Sequence, residues 1–345
     1  MDDKADIKQI LSKRRVYFAI LICLSIIGFI YWKELQTNSQ GFIQLSWTGQ
    51  AFFYLFLGLV MMAFRDLAYM IRIRILTDKK LSWKQAFDVI MLWEFASAIS
   101  PGVVGGSALA IFILEKEKIP IGKSTALVIV TLILDNFFYI LFIPSVFLAI
   151  SMNSLFPQEL DWMSKTGTTI FWFGYSIIFI ITLILVMSIF FSPKIIHFFV
   201  RLVYKLPFLR KRKEKAVQFG KDIELTSQVL KNKSPLFWLK LFGTTIWSWT
   251  ARFLVVNCVL FAFIEMELTD HLVILARQLI MWLAMLVTPT PGGSGMAEFA
   301  FSELFSDYVH YAGLSALGLA VIWRTLSYYP YLLIGSIILP KWLKK

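Results

Sequence analysis

The chain has 345 residues, 58% of them hydrophobic and 16% aromatic, with a formal net charge of +12 and a mean hydropathy of +0.70. That balance excludes a soluble globular domain and describes a polytopic membrane protein. The two cysteines, Cys23 and Cys258, both lie in apolar runs and suggest neither a disulfide framework nor a metal site.

Residues 1–15 carry five Lys/Arg, and Val16–Trp32 is the first predicted span. It is long enough to cross a bilayer and has no small-residue cleavage site after it, so a cleaved signal is not expected. Residues 33–46 carry only Lys33; Trp47–Ile71 is the second span; residues 72–84 again carry five Lys/Arg, Arg72 among them. A broken apolar element, 85–114, follows, interrupted by Ser100-Pro101-Gly102-Val103-Val104-Gly105-Gly106. Residues 115–123 carry three lysines, Ser124–Ile150 is a span, 151–167 carries only Lys165, and Thr168–Phe191 is a span. The linker 192–235 holds eleven Lys/Arg. Pro235–Ile264 is a span, 265–271 has no Lys/Arg, and a second broken element covers 272–305, interrupted by Thr288-Pro289-Thr290-Pro291-Gly292-Gly293-Ser294-Gly295. The link 306–311 has no Lys/Arg, Ala312–Leu339 is the last span, and Lys341, Lys344 and Lys345 close the chain.

Basic loops stay in the cytoplasm. The loops assigned there hold 27 Lys/Arg and those assigned outside hold two. The first broken element is flanked by basic segments, so it enters and leaves on the cytoplasmic side; the second is flanked by segments without Lys/Arg, so it enters and leaves outside. Each arm, at roughly 18–27 Å for a rise of 1.5 Å per residue, is short for a hydrocarbon core of about 30 Å. The predicted fold is an all-α membrane domain over 1–345, with six full spans, two re-entrant hairpins and both termini cytoplasmic.

An internal repeat points the same way. Trp93 and Trp282, Asp135 and Arg324, and the two Pro-Gly clusters are related by an offset close to 189, and Arg65 and Arg252 hold similar places before each hairpin. The first repeat is 47–150 with its hairpin at 85–114, and the second is 236–340 with its hairpin at 272–305. The charge-derived directions make them inverted, as in many secondary transporters, whose sites lie near the midplane at broken helices.

Two prolines and three glycines cannot continue a helix, and freed backbone groups are tolerated in a membrane only where protein or a cavity covers them. A helix restarts after each cluster, at Ser107 and at Met296. A helix N-terminus favours an anion, and glycine permits close approach. Pro101, Gly102, Gly105 and Gly106 in the first tip, and Pro291, Gly292, Gly293 and Gly295 in the second, are therefore candidate contacts for one anionic head group. Intramembrane ionisable residues are costly and functional by default. Arg252, Arg277 and Arg324 can hold a phosphate or pair with Asp135, Glu94 and Glu298. Arg65-Asp66 reads as an interface pair near a span end. Glu298, on the first turn after the glycines, reads either as a dipole-stabilising acid or as a proton or cation carrier.

Enzyme chemistry is not expected. Gly292-Gly293-Ser294-Gly295 matches the G-x-S-G of intramembrane serine proteases, but His197, His271 and His310 are all predicted in loops or at span ends, which leaves the serine without a base. No metal-ligand spacing is present, and no cofactor is expected. The basic linker 192–235 is suited to an anionic lipid surface rather than to nucleic acid.

Pro289-Thr290-Pro291-Gly292-Gly293-Ser294-Gly295…Glu298, with Pro101-Gly102…Gly105-Gly106 and the Asp135 span, resembles the flippase-like membrane domain of lysylphosphatidylglycerol synthases over about 12–340. In the bifunctional relatives that domain moves lysylphosphatidylglycerol across the bilayer, and a separate soluble domain attaches lysine. The resemblance implies a flippase or translocase of an anionic or phosphate-bearing lipid in the cytoplasmic (inner) membrane, without aminoacyl transfer. Many relatives place an arginine soon after the first glycine turn, where this chain has Ala108-Leu109-Ala110-Ile111-Phe112. The alternatives are an ion-coupled transporter of a small anion and a non-transporting membrane scaffold.

Overall fold

The computed structural model describes residues 45–100, 102–150, 161–191, 224, 226–286, 288, 290–311 and 314–344, with isolated positions before residue 45. The described residues are helical: α1 (Gly49–Leu76), α2 (Trp83–Ile99), α3 (Gly102–Lys116), α4 (Ile121–Ala149), α5 (Asp161–Val186, ending in a π-turn at Met187–Phe191), α6 (Pro235–Phe263), α7 (Asp270–Leu286), α8 (Met296–Leu304), α9 (Ser306–Tyr311), α10 (Ala316–Ser327) and α11 (Tyr329–Lys344). The predicted span Val16–Trp32 and most of the 192–235 linker lie outside the described residues.

Local sequence accounts for the helix ends. The Thr48 hydroxyl accepts from Ala51 at the start of α1. Ser82 and Gln85 close a reciprocal capping box on α2. Ser234 caps α6 with Pro235 in its first turn, where the missing N–H costs nothing. Ser315 caps α10 through Gly318 N–H.

The core is built on α1 and α6, which pack along each other in opposite directions. Trp47 meets Phe263, Tyr54 meets Phe261 and Phe64 meets Trp247, so rising numbers on one helix face falling numbers on the other. Gly58 lets the pair approach α10: a Cβ there would stand 3.1 Å from Leu326 and 3.5 Å from Cys258. Around this pair, α2 lies against α3 and α11, α7 lies against α8, and α4 bridges α3, α5, α6 and α7.

Gly49–Leu76, Ile121–Val146, Phe171–Phe191 and Pro235–Phe263 are long and apolar enough to cross a membrane. Their outer faces carry large bare apolar side chains: Phe53, Phe56 and Phe173 are 61%, 65% and 68% exposed. Apolar area on that scale needs a non-aqueous surround. The chain is a multi-pass membrane protein.

The ends of the helices sort by charge. Asp78, after α1, binds Lys123 at 3.2 Å and Lys233 at 2.6 Å. Glu117, after α3, accepts from Gln85 at the start of α2 and from Trp342 near the end of α11. The basic segments 72–84, 115–123 and 231–233 therefore meet at one end with the C-terminal turn. At the opposite end, Trp47 packs on Phe263, Asn257 bonds His271, and Tyr308 donates to Asp270. In both paired elements the open ends adjoin: Gln85 with Glu117 for α2–α3, Asp270 with Tyr308 for α7–α9.

Three boundaries differ from the sequence expectation. The predicted span Ala312–Leu339 is two helices, broken at Tyr328, because Pro330 has no N–H to return to the Leu326 carbonyl. The helix expected to restart at Ser107 restarts at Gly102, so Gly105 and Gly106 lie inside α3; a Cβ on Gly106 would collide with Ser97 of α2, and glycine there allows the two arms to touch. Arg72, counted above as a loop residue, is buried on α1, which runs on to Leu76, and its guanidinium donates to Asp135.

Candidate functional site

The second helix break is a tight turn. Gly292, Gly293 and Gly295 have φ of 58°, 67° and 89°, values that L side chains rarely adopt. The turn is tied internally: Gly293 N–H reaches Thr290 O, Ser294 N–H reaches Pro291 O, and the Thr290 hydroxyl donates to Ser294 O at 2.9 Å. Helix α8 starts at Met296, as its sequence predicts, and Glu298 accepts Gly295 N–H on Oε2 at 2.7 Å.

Arg324, on α10, clamps this turn. Its Nε donates to Glu298 Oε1 at 2.9 Å, and Nη2 donates to Gly292 O at 2.9 Å and approaches Ser294 Oγ at 3.4 Å. Both partners of the ion pair are buried, 4% and 1% exposed in their side chains. The guanidinium carbon lies 3.7 Å from the centre of the Tyr328 ring. The positive end of α8 thus already holds a carboxylate from its own first turn. Of the two readings of Glu298, the geometry matches the dipole-stabilising acid, since both its oxygens are engaged.

Tyr328 joins the two breaks. Its hydroxyl donates to Ala98 O, one of the carbonyls freed where α2 ends, and its ring covers Gly292 so closely that a Cβ there would overlap it. Gly102 and Gly105 are placed as helical backbone in α3, while Pro101 lies outside the described residues.

Asp135, on α4, takes the Arg72 guanidinium at 2.6 and 3.4 Å and the indole N–H of Trp249 at 3.0 Å; Arg72 also reaches the Thr245 hydroxyl. Arg65, wholly buried, stands 2.5 Å from Glu94 and 3.1 Å from Asp66, and donates to the Tyr331 hydroxyl at 2.8 Å. Tyr331 donates in turn to Asp66. Arg65-Asp66 is therefore the middle of a polar network linking α1, α2 and α11, not a pair at a span end.

Arg252, on α6, sits between these networks. It is partly exposed, its guanidinium lies over the Trp249 ring at 5.1 Å, and it acts electrostatically on Glu94, Asp66 and Tyr139. No carboxylate or hydrogen-bond acceptor among the described residues contacts it. Beside it, the buried hydroxyl of Tyr139 has no hydrogen-bond partner among the described residues, and its ring stacks on Trp282 at 3.6 Å. Arg277 lies apart: it binds Asp307 at 2.6 and 2.7 Å and Leu304 O at 2.7 Å, holding α7 against the end of α8.

Sequence reasoning missed Arg72, Tyr139, Trp249, Tyr328 and Tyr331. Two signals were available. Arg65, Tyr69 and Arg72 fall at i, i+4 and i+7, one face of a helix. Tyr139 and Tyr328 follow Asp135 and Arg324 by four residues and are separated by the same offset of 189.

These features define a polytopic helical membrane protein with ion pairs buried at its helix contacts. A family model described as the lysylphosphatidylglycerol synthase TM region matches residues 16–335, and the chain belongs to that family. It is also 28% identical over 291 residues to a protein from Archaeoglobus fulgidus named UPF0104 membrane protein, covering 79% of this chain and 81% of the relative.

Proposed function

We propose that this protein is a non-enzymatic lipid flippase that moves an anionic, phosphate-bearing lipid across the cytoplasmic membrane. α2–α3 and α7–α8 act as re-entrant hairpins of an inverted repeat, with six full spans around them and both termini in the cytoplasm. The head group engages Arg252, and the acyl tails stay in the bilayer while the halves rock. The observation that carries this reading is Arg252 itself: a partly exposed guanidinium inside an apolar helix that packs along α1, with no acceptor among the described residues. An ionisable residue in a membrane-spanning helix without a counter-charge is costly and marks a substrate pathway by default. Family membership supports the same reading.

The head group is placed at Arg252 rather than between the hairpin tips, because Arg324 and the α8 N-terminus are occupied by Glu298, Gly292 O and Ser294. The basic segment 192–235 rests on anionic lipid of the cytoplasmic leaflet.

The test uses liposomes carrying head-group-labelled phosphatidylglycerol and an impermeant quencher. Wild type makes inner-leaflet label accessible. Arg252→Ala slows this by about tenfold or more, equivalent to ~1.4 kcal/mol, and Lys240→Ala, on an exposed face of the same helix, does not. Wild-type liposomes that match empty ones defeat the reading.

A further inference from the structure

Beyond lipid movement itself, the charges around Arg252 do not balance in pairs. Arg72 has Asp135 to itself. Arg65 is shared by two carboxylates, Asp66 and Glu94, and neither has a second guanidinium in contact among the described residues. The remaining guanidinium is that of Arg252, on the helix packed along α1, close to where Phe64 beside Arg65 meets Trp247. Three guanidinium groups and three carboxylates are neutral together only while Arg252 is available to them.

A phosphodiester bound at Arg252 removes that compensation. The network then holds one carboxylate more than its free cations can offset, in surroundings where an uncompensated charge is strongly disfavoured and the group neutralises instead. From this geometry we infer that lipid binding at Arg252 is coupled to uptake of a proton at Asp66, so that the protein moves its lipid together with a proton. The inference rests on the reading of Arg252 as the head-group site.

Asp66 is the acceptor for two reasons. Its contact with Arg65 is 3.1 Å, longer than the 2.5 Å of Glu94, so it loses less on protonation. Tyr331 donates to it at 2.8 and 2.9 Å while accepting from Arg65, so the hydroxyl can turn and take the new O–H as an acceptor. The charged and titratable groups facing the two carboxylates are Arg65 and Arg72 from α1, Tyr69 of α1 against the Arg65 guanidinium, Arg252 from α6 and Tyr331 from α11. No bond other than O–H changes: the proton enters from water as the phosphodiester arrives and leaves as it departs.

The experiment is calorimetric titration of the purified protein in detergent with dihexanoyl phosphatidylglycerol, whose phosphodiester does not titrate near neutral pH. It is run in two buffers of different ionisation enthalpy, and sulfate is titrated in parallel to separate a lipid head group from a free anion. The expected result is uptake of about one proton per lipid bound by wild type, falling to none in Asp66→Asn with binding retained. Glu94→Gln also removes the excess carboxylate, so by the same charge count it binds lipid without proton uptake, and it serves if Asp66→Asn does not fold. Wild-type lipid binding with no buffer dependence overturns the coupling and leaves the flippase reading standing. Sulfate binding without lipid binding, or no binding of either, overturns the flippase reading and the coupling with it.

Discussion

Tyr328 donates its hydroxyl to Ala98 O at 2.9 Å across 230 residues of chain. The same ring lies over Gly292 and under the Arg324 guanidinium. One aromatic residue therefore satisfies a carbonyl freed by the first helix break and packs the turn of the second. Tyr328→Phe keeps the ring and orphans the carbonyl, so thermal melting in detergent should report a loss of about 1–3 kcal/mol. Tyr328→Ala removes the contact as well and should cost more.

Gly292 and Gly293 both have positive φ, but they face different neighbours. A Cβ on Gly292 overlaps the Tyr328 ring, whereas one on Gly293 meets the flexible end of Met285 at 3.3 Å. Both alanine variants carry the left-handed strain of about 1–2 kcal/mol. Gly292→Ala should therefore melt at a clearly lower temperature than Gly293→Ala.

The Arg324–Glu298 pair is buried on both sides. Arg324→Met strands a carboxylate and should destabilise by about 3–5 kcal/mol. The double variant Arg324→Met, Glu298→Gln removes both charges and keeps an acceptor and a donor near Gly295. It should recover much of the loss, and a double-mutant cycle on melting free energies reads the difference.

Asp78 lies outside the spans, between Lys123 and Lys233. Burial pushes its carboxyl up, but the hydrogen bonds and charges of Lys233 and Lys123 together outweigh this and hold it below the usual 3.8. A depressed folded value means the stabilisation is present above the unfolded value and is lost as pH falls through the folded one. Stability should therefore be insensitive to Asp78 at neutral pH and decline only below about pH 3.8. Asp78→Asn at neutral pH should cost under about 1 kcal/mol, because the carboxyl is 40% exposed, and the cost should shrink in high salt.

The hairpin arrangement is tested by single cysteines in a background with Cys23 and Cys258 replaced by serine. Lys80→Cys and Lys118→Cys, which flank the first hairpin, should be shielded from an impermeant maleimide on intact cells. Leu268→Cys and Asp307→Cys, which flank the second, should react with it. Opposite labelling within either pair would make that element a full crossing.

Much of the architecture is written locally. Apolar runs, the Pro-Gly interruptions and the distribution of Lys and Arg are properties of short windows, and they account for the long helices, for the pairing of α2 with α3 and of α7 with α8, and for the gathering of basic segments at one end. The capping residues at Ser82, Ser234 and Ser315 mark helix starts for the same reason. What tertiary structure alone decided is which charge meets which. Helical periodicity says that Arg65 and Arg72 share a face, but not that the partner of Arg72 is Asp135, 63 residues away, or that Arg324 turns to Glu298 and Gly292. Four arginines that look equivalent as residues in apolar sequence become a clamp on the turn before α8 at Arg324, a brace at Arg277, the centre of a network at Arg65 and, at Arg252, one guanidinium without an acceptor among the described residues. The pairing is set by which helix faces can be packed together with their polar groups satisfied, a condition on the whole assembly that no window of sequence contains.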